Sequence, residues 1–349
     1  MRVHITDLQI GDRLASNVFN AFGLHIFSSD KELDADAINL LFRHNIEYVD
    51  IELRRSHEFN THNERSSVLD DQTLAHFDNA VIGIKDLFQK VLVGEMIGEQ
   101  AVEQSFAPLA RQIHKERDVV SLLLSLTNQD DYTYQHSVQV GVISCFLATW
   151  IGLPQHMTLL AGKAGYLHDI GKCRIDAAIL QKPSRLTDDE YELVKQHTVH
   201  GFDILREWFS ETPELAIVAL QHHERMNGTG YPHGLRGDHI HQLSRIVAIA
   251  DIYSAMISSR VYQKKRDLLF VLRELHRMSF AELDPFMTHT FIRKMSPHFA
   301  GKKLVLTTGD VGEIVMINQH DVFRPLIRID DQYIDLSKNH DLVVEAIFV

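Results

Sequence analysis

Cysteine is nearly absent from this chain: Cys145 and Cys173 are the only two in 349 residues. They cannot build a disulfide framework, and a chain of this length buries enough core to do without one. A reducing, cytoplasmic setting is the expectation. Positive charge is also in deficit. Lys and Arg number 35 against 47 Asp and Glu, a formal charge of −12. A protein that coats DNA or RNA needs a basic face, so that class is set aside. One small phosphate ligand held by a local cationic or metal site remains compatible with the deficit. Long apolar runs are missing too. Val138 to Leu153, among the longest, is broken by Gln139, Ser144, Thr149 and Gly152, short of the roughly 18 residues of a membrane span. The opening Met1-Arg-Val-His-Ile-Thr-Asp lacks the apolar stretch of a signal peptide. With 45% apolar and 23% charged residues, the composition is that of a soluble globular protein. Disorder, collagen-like repeats and coiled coil are excluded as the main architecture.

The length predicts two or three domains. In residues 1–60, Ile5, Leu24, Ile26 and the run Ile46 to Ile51 read as short strands around a helical stretch from Asp34 to Arg43. Polar residues from Arg54 to Ser67 read as a linker. From Asp70 to about Leu126, apolar residues such as Leu74, Phe77, Val81, Ile84, Phe88 and Val91 recur at three- and four-residue steps, the pattern of an amphipathic helix. This stretch, within a helical connector over 61–129, packs on the next domain or forms a homodimer surface. Residues 130–298 are read as mostly helical: Tyr132–Ile151, Gln155–Leu167, a helix N-capped by Thr187 and running to about His197, Pro213 to about His223, and Gln242–Ser258. Four glycines crowd the loop from Asn227 to Asp238. Residues 299–349 turn to short strands, at Leu304–Leu306, Glu313–Ile317, Leu326–Ile329 and Leu342–Ile347.

What is abundant is histidine, with 22 residues. Most sit among polar neighbours, as His57, His62, His76 and His320 do, and read as surface side chains. The informative ones stand beside carboxylates. His168-Asp169 offers a nitrogen and an oxygen ligand from adjacent positions. His222-His223 offers two imidazoles at a helix end, where a spacing of about 100° suits two different metals better than one. His136 and His197 are further candidates. Asp251 lies inside the apolar run Ile246-Val-Ala-Ile-Ala-Asp251-Ile, where a carboxylate is costly unless paired or ligating. Each dipeptide alone is weak, and its ordinary structural reading is the better one. Together, mixed nitrogen and oxygen ligands suit iron, manganese or zinc rather than magnesium or calcium. Seven ligands exceed one tetrahedral zinc site and match a two-metal site that hydrolyses phosphate esters.

The order and spacing of four segments resemble the HD-GYP subgroup of the HD phosphohydrolases. They are Tyr132-Thr-Tyr-Gln-His136-Ser, His168-Asp169-Ile-Gly171-Lys172, His222-His223-Glu224-Arg225-Met-Asn-Gly228-Thr-Gly230-Tyr231-Pro232, and Ala250-Asp251-Ile-Tyr253-Ser-Ala255-Met. The resemblance covers roughly Asp130 to Pro297. It implies a mainly α fold: a helical HD-type domain, with a small N-terminal α/β module and a short C-terminal β module. It implies a phosphodiesterase that opens cyclic di-GMP to linear pGpG, and often GMP, through a metal-bridging hydroxide. His136, His168, Asp169, His197, His222, His223 and Asp251 carry over as metal ligands for two divalent transition-metal ions, iron or manganese, with Asp169 the bridging carboxylate and catalytic. Lys172 carries over as a catalytic and substrate-binding cation beside the scissile phosphate, Arg260 as a nucleotide-phosphate contact, and Gly230, Tyr231 and Pro232 as the pocket entrance.

Departures from the family pattern are Tyr132, where some members carry a third-metal Glu, Asn227 in place of Asp, and Val261 and Gln263 after Arg260. These keep alternatives open: a cyclic-dinucleotide receptor or docking effector with little turnover, or a hydrolase of cyclic GMP–AMP. No receiver, kinase or transmembrane sensor is evident, so the N-terminal module is the place for a regulatory protein partner. Glu224 reads either as a group orienting an imidazole or as a helix-end charge. Arg225 reads as a loop anchor, Cys173 as a small buried residue, and Tyr166 and Tyr253 as core aromatics.

Overall fold

The computed structural model describes residues 2–4, 8, 11–19, 25–34, 37–38, 40–41, 44, 46, 48–51, 71–96, 98–113, 119, 122–123, 132–182, 184–257, 268–318 and 320–348. Two compact units emerge, one of Met1–Asn63 with Phe299–Val349, the other of Glu64–His298.

In the first unit, β1 (Arg2–His4) pairs antiparallel with β4 (Tyr48–Asp50), and β2 (Val18–Phe19) with β3 (His25–Phe27). Leu14, Val18, Leu33, Ala37, Leu41, Ile46, Val49 and Ile51 form their core. The helical stretch expected after Asp34 is present at Ala37, Ile38, Leu40 and Leu41, and Asp34 Oδ1 accepts from Ala37 N at 2.7 Å. The C-terminal residues build a five-stranded antiparallel sheet in the order β8-β7-β6-β5-β9. Its strands are β5 (Lys303–Leu306), β6 (Val311–Met316), β7 (Leu326–Ile329), β8 (Gln332–Asp335) and β9 (Val344–Phe348). Strand β8 was not expected. Gln332-Tyr-Ile-Asp335 is an edge strand without apolar alternation, set by a tight hairpin in which Asp330 takes φ 50°.

The second unit is helical. The amphipathic stretch after Asp70 divides, among the described residues, into α1 (Asp71–Leu92) and α2 (Glu99–Ile113). They part where Gly94 takes φ 75°, a conformation that periodicity does not reveal. Helix α3 (Tyr132–Trp150) is apolar nearly all round and buried on most of its length. It packs on α4 (Gln155–Leu167), α1, and α9 (Gln242–Ile257). Tyr166 on α4 stacks on Phe106 of α2 at 4.8 Å and donates its hydroxyl to Ala80 O at 2.6 Å. It is thus a core aromatic, as is the fully buried Tyr253. A 3₁₀ turn, Ile170–Arg174, follows α4 and leads to the short α5 (Ala177–Leu180).

Thr187 caps α6 (Asp188–Lys195) in a capping box with Glu190. Helix α7 (His197–Trp208) starts immediately afterwards, so His197 lies in a first turn. Helix α8 (Pro213–Gln221) opens on Pro213 but stops before His222, which caps it. Helices α10 (Leu268–Met278) and α11 (Pro285–Met295) complete the unit. No helix among the described residues is long and apolar enough to cross a membrane.

Candidate metal centre

Seven side chains from five segments converge. Helix α3 brings His136, the end of α4 His168 and Asp169, the start of α7 His197, the turn after α8 His222 and His223, and α9 Asp251. Six of them are buried and His223 is half-buried. Their ligand atoms form three overlapping groups, His197/His222/His223, His136/His168/Asp251 and His168/Asp169/His222, each within 4.8 Å.

The His222 and His223 rings lie 4.1 Å apart. Both fall in the group with His197, and His222 falls also in the group with His168 and Asp169.

Asp169 stands between two halves. Its Oδ1 lies 3.4 Å from His197 Nε2 and 3.9 Å from His222 Nε2. Its Oδ2 lies 3.1 Å from His168 Nε2 and 4.0 Å from His136 Nε2. Asp251 Oδ1 is 3.1 Å from His136 Nε2, and its Oδ2 is 3.9 Å from His223 Nδ1. Lys172 Nζ, one turn beyond Asp169, meets Asp169 Oδ2 at 2.5 Å.

Backbone carbonyls set the tautomers. His168 Nδ1 donates to Gly165 O at 2.6 Å, His197 Nδ1 to Val194 O at 2.6 Å, and His222 Nδ1 to Ala219 O at 2.9 Å. A neutral imidazole so bonded keeps a lone pair at Nε2. His197 Nε2 and His222 Nε2 are 3.3 Å apart, so two lone pairs face each other and need a cation between them. Protons do not supply it near neutral pH. Burial pulls the His197 pKa down to about 4 and that of His223 to about 3, and holds His222 well below the usual range, with the neighbouring imidazoles adding to it. His168 runs the other way: burial opposes its charge, but Asp169 and Asp251 outweigh it and raise its pKa. Burial likewise opposes the charge of Asp169 and Asp251. His168 and Lys172 nevertheless hold Asp169 well below the usual carboxylate range, and His136 and His168 do the same for Asp251. Among the described residues, His168 Nε2 and Asp169 Oδ1 are buried and make no hydrogen bond of good geometry. Ionised carboxylates, opposed lone pairs and these buried acceptors fit a metal site.

The Gly-rich loop lies against the cluster. Tyr231 packs on His223 with ring centroids 4.6 Å apart, and its backbone N–H donates to His223 O at 3.3 Å. Gly230 is required here, since a Cβ would meet the backbone of His223, Glu224 and Arg225. The 231–232 peptide is cis. Asn227 Oδ1 accepts from Thr229 N and Oγ1 at 3.1 and 2.7 Å, so the amide serves as a local loop anchor. Sequence reasoning left the role of Glu224 open. Its buried carboxylate accepts from His233 N at 2.8 Å and Leu235 N at 2.9 Å, and so ties down the far side of the loop. A Glu beside two candidate ligand histidines and followed by four glycines is the signal that could have found it. Sequence reasoning also missed Lys195, whose Nζ lies 5.7 Å from the Tyr231 ring, and Tyr191, edge-on to Tyr231 at 6.4 Å. Arg260, Val261 and Gln263 lie outside the described residues.

Residues 120–286 match the family described as HD domain. The chain is 30% identical over 250 residues to a cyclic di-GMP phosphodiesterase of Pseudomonas aeruginosa, covering 72% of this chain and 60% of that protein. It is 34% identical over 196 residues to a cyclic di-GMP phosphodiesterase of Thermotoga maritima, covering 56% of this chain and 53% of that protein. The chain therefore spans somewhat over half the length of these relatives. Among solved structures, an HDG"Y"P protein of Bdellovibrio bacteriovorus superposes with a TM-score of 0.51 at 16% identity, over 84% of this chain and 98% of that one. That likeness speaks for the mainly α fold.

Proposed function

We propose that this chain, which belongs to the HD domain family through residues 120–286 and carries motifs of the HD-GYP kind, is a metal-dependent phosphodiesterase that opens cyclic di-GMP to pGpG. The observation that carries the reading is the pair of opposed Nε2 lone pairs on His197 and His222, in a cluster whose two carboxylates are held ionised. His197, His222 and His223 would hold one divalent ion, and His136, His168 and Asp251 a second, with the two oxygens of Asp169 turned one to each group. Iron or manganese suits this mixed nitrogen and oxygen set. When bound, such ions supply water activation and neutralise charge on the phosphoryl oxygens.

The chain's own residues do the rest. Asp169 stays ionised at every working pH because His168 and Lys172 flank it. The Lys172 ammonium, partly exposed beside Asp169, is a point cation for the phosphate oxygen on which charge develops. Water adds to phosphorus in line with the 3′ oxygen, which leaves, so the ring opens to a linear dinucleotide with a 5′ phosphate. Gly230, Tyr231 and Pro232 would form the wall the nucleotide passes, with the Tyr231 ring fixed against His223. Arg260 would add a bidentate phosphate contact. The 1–60 module is proposed as the regulatory or docking part. The 70–126 segment is proposed as a homodimer surface, on the strength of exposed Ile82, Leu92 and Val93.

The test is metal content per chain on protein purified without chelator. Chromatography of cyclic di-GMP and cyclic GMP–AMP, with iron or manganese supplied, follows. Two ions per chain and a pGpG product support the reading. Two ions with nucleotide bound but uncleaved would move the protein to the receptor class, and a chain without metal would overturn the proposal.

A further inference from the structure

Three of the cluster's histidines have their tautomers fixed by backbone carbonyls, which no side-chain substitution removes. His136 differs. Its Nδ1 lies 3.0 Å from Ser254 Oγ on α9, and Ser254 Oγ donates to Gln139 Oε1 at 2.9 Å. Ser254 is fully buried and Gln139 nearly so, and buried polar groups of this kind are retained when they are bonded. Two helical spacings of three residues build the arrangement. His136 and Gln139 share a face of α3, and Asp251 and Ser254 share a face of α9. Helix α9 therefore faces both ring nitrogens of His136, with Asp251 Oδ1 3.1 Å from Nε2 and Ser254 Oγ 3.0 Å from Nδ1.

A hydroxyl has one proton. Because that of Ser254 points to Gln139, its oxygen accepts from His136, and Nδ1 carries a proton. Nε2 is then the nitrogen left to face the cluster.

We propose that Ser254, oriented by Gln139, is a positioning residue that fixes His136 as the Nδ1–H tautomer and so prepares it to ligate metal. The inference rests on the metal reading above. Partners of this kind typically contribute 10–100-fold to metal affinity.

The experiment titrates manganese into metal-stripped full-length chain against a competing chromogenic chelator, with thermal unfolding of the metal-free protein alongside. Ser254→Ala is expected to weaken one ion per chain by about 10–100-fold, with the metal-free midpoint little changed, and Ser254→Thr, which keeps the hydroxyl, to restore it. Gln139→Leu and Gln139→Glu give an independent route. The first removes the acceptor that aims the Ser254 proton and is expected to weaken the same ion; the second keeps an acceptor and is expected to retain it. Wild-type affinity in both Ser254→Ala and Gln139→Leu would overturn the proposal. So would affinity that falls in Ser254→Thr as it does in Ser254→Ala, which would make the role one of packing. Absence of metal from the wild-type chain would instead overturn the underlying metal reading.

Discussion

Replacing Gly171 by Ala tests how closely the site depends on backbone contact. Gly171 lies two residues beyond Asp169, in the 3₁₀ turn that abuts the start of α7. A Cβ there would overlap the His197 carbonyl oxygen and the Gly201 amide nitrogen, and would stand 3.0 Å from Gly201 Cα. All three are backbone atoms, so no rotamer change relieves the clash. Carbon atoms pack at about 3.5 Å or more, and the 3₁₀ turn and α7 must separate by the order of 1 Å. His197 opens α7, and its Nε2 is 3.4 Å from Asp169 Oδ1, so the separation acts directly on the His197/His222/His223 group. Overpacking of this kind costs about 1–3 kcal/mol, or roughly 2–12 °C in melting midpoint for a unit of this size. A 1 Å displacement of a catalytic constellation costs about 100-fold in rate. The assay combines metal per chain, thermal unfolding and turnover of cyclic di-GMP, with Gly98→Ala as control, because a Cβ at Gly98 meets nothing within 4 Å. Loss of about one ion per chain with a lowered midpoint is expected for Gly171→Ala and not for the control. Full metal content and wild-type turnover in Gly171→Ala would refute the reasoning.

His168→Ala or Asp169→Ala is expected to abolish bound metal and turnover together, whereas Lys172→Ala keeps the metal and loses rate by about 10²–10³-fold, the scale of one transition-state contact; normal turnover in Lys172→Ala would remove it from the mechanism. Glu224→Ala leaves His233 N and Leu235 N without their carboxylate, at about 1.5–3 kcal/mol for each charged hydrogen bond. A raised KM with metal content retained is the expected result, and an unchanged KM would sever the loop from substrate binding. In the chelated protein, stability should fall on acidification. The His197 and His223 pKa values are depressed to about 4 and about 3, so the unfolded chain binds more protons below its own pKa of about 6.5. Their contribution is complete above about pH 6.5 and is lost as pH falls toward 4 and 3. The raised pKa of His168 opposes this, its contribution being present below about 6.5 and lost as pH rises through its folded value. His197 alone accounts for the order of 2 kcal/mol between pH 7 and 5. Urea unfolding at those two values, in chelator, gives the difference, and a flat or inverted dependence would show that the imidazoles are not buried neutral.

The parts of this protein legible in its sequence are those decided within a few residues. Thr187 and Glu190 close a capping box whatever surrounds them, and Pro213 opens a helix because its missing N–H is needed by no partner there. Asp251 announced a site because a carboxylate inside an apolar helix must find compensation, and it faces His136 at 3.1 Å. The candidate ligand types were legible for the same reason: chemistry resides in the side chain. What needed the tertiary structure was decided between distant segments. Helix α8 stops at Gln221, so His222 and His223 lie in the turn beyond it, where both come within reach of His197, and the loop that follows them is held by Glu224 through backbone donors at 233 and 235. The polar strand β8 exists because β7 pairs with it. Ser254 acquires a role from His136, 118 residues away. Hydrogen bonds and lone pairs act over about 3 Å, so spacing along the chain names which groups could serve, and only the packing of α3, α4, α7 and α9 decides which of them meet.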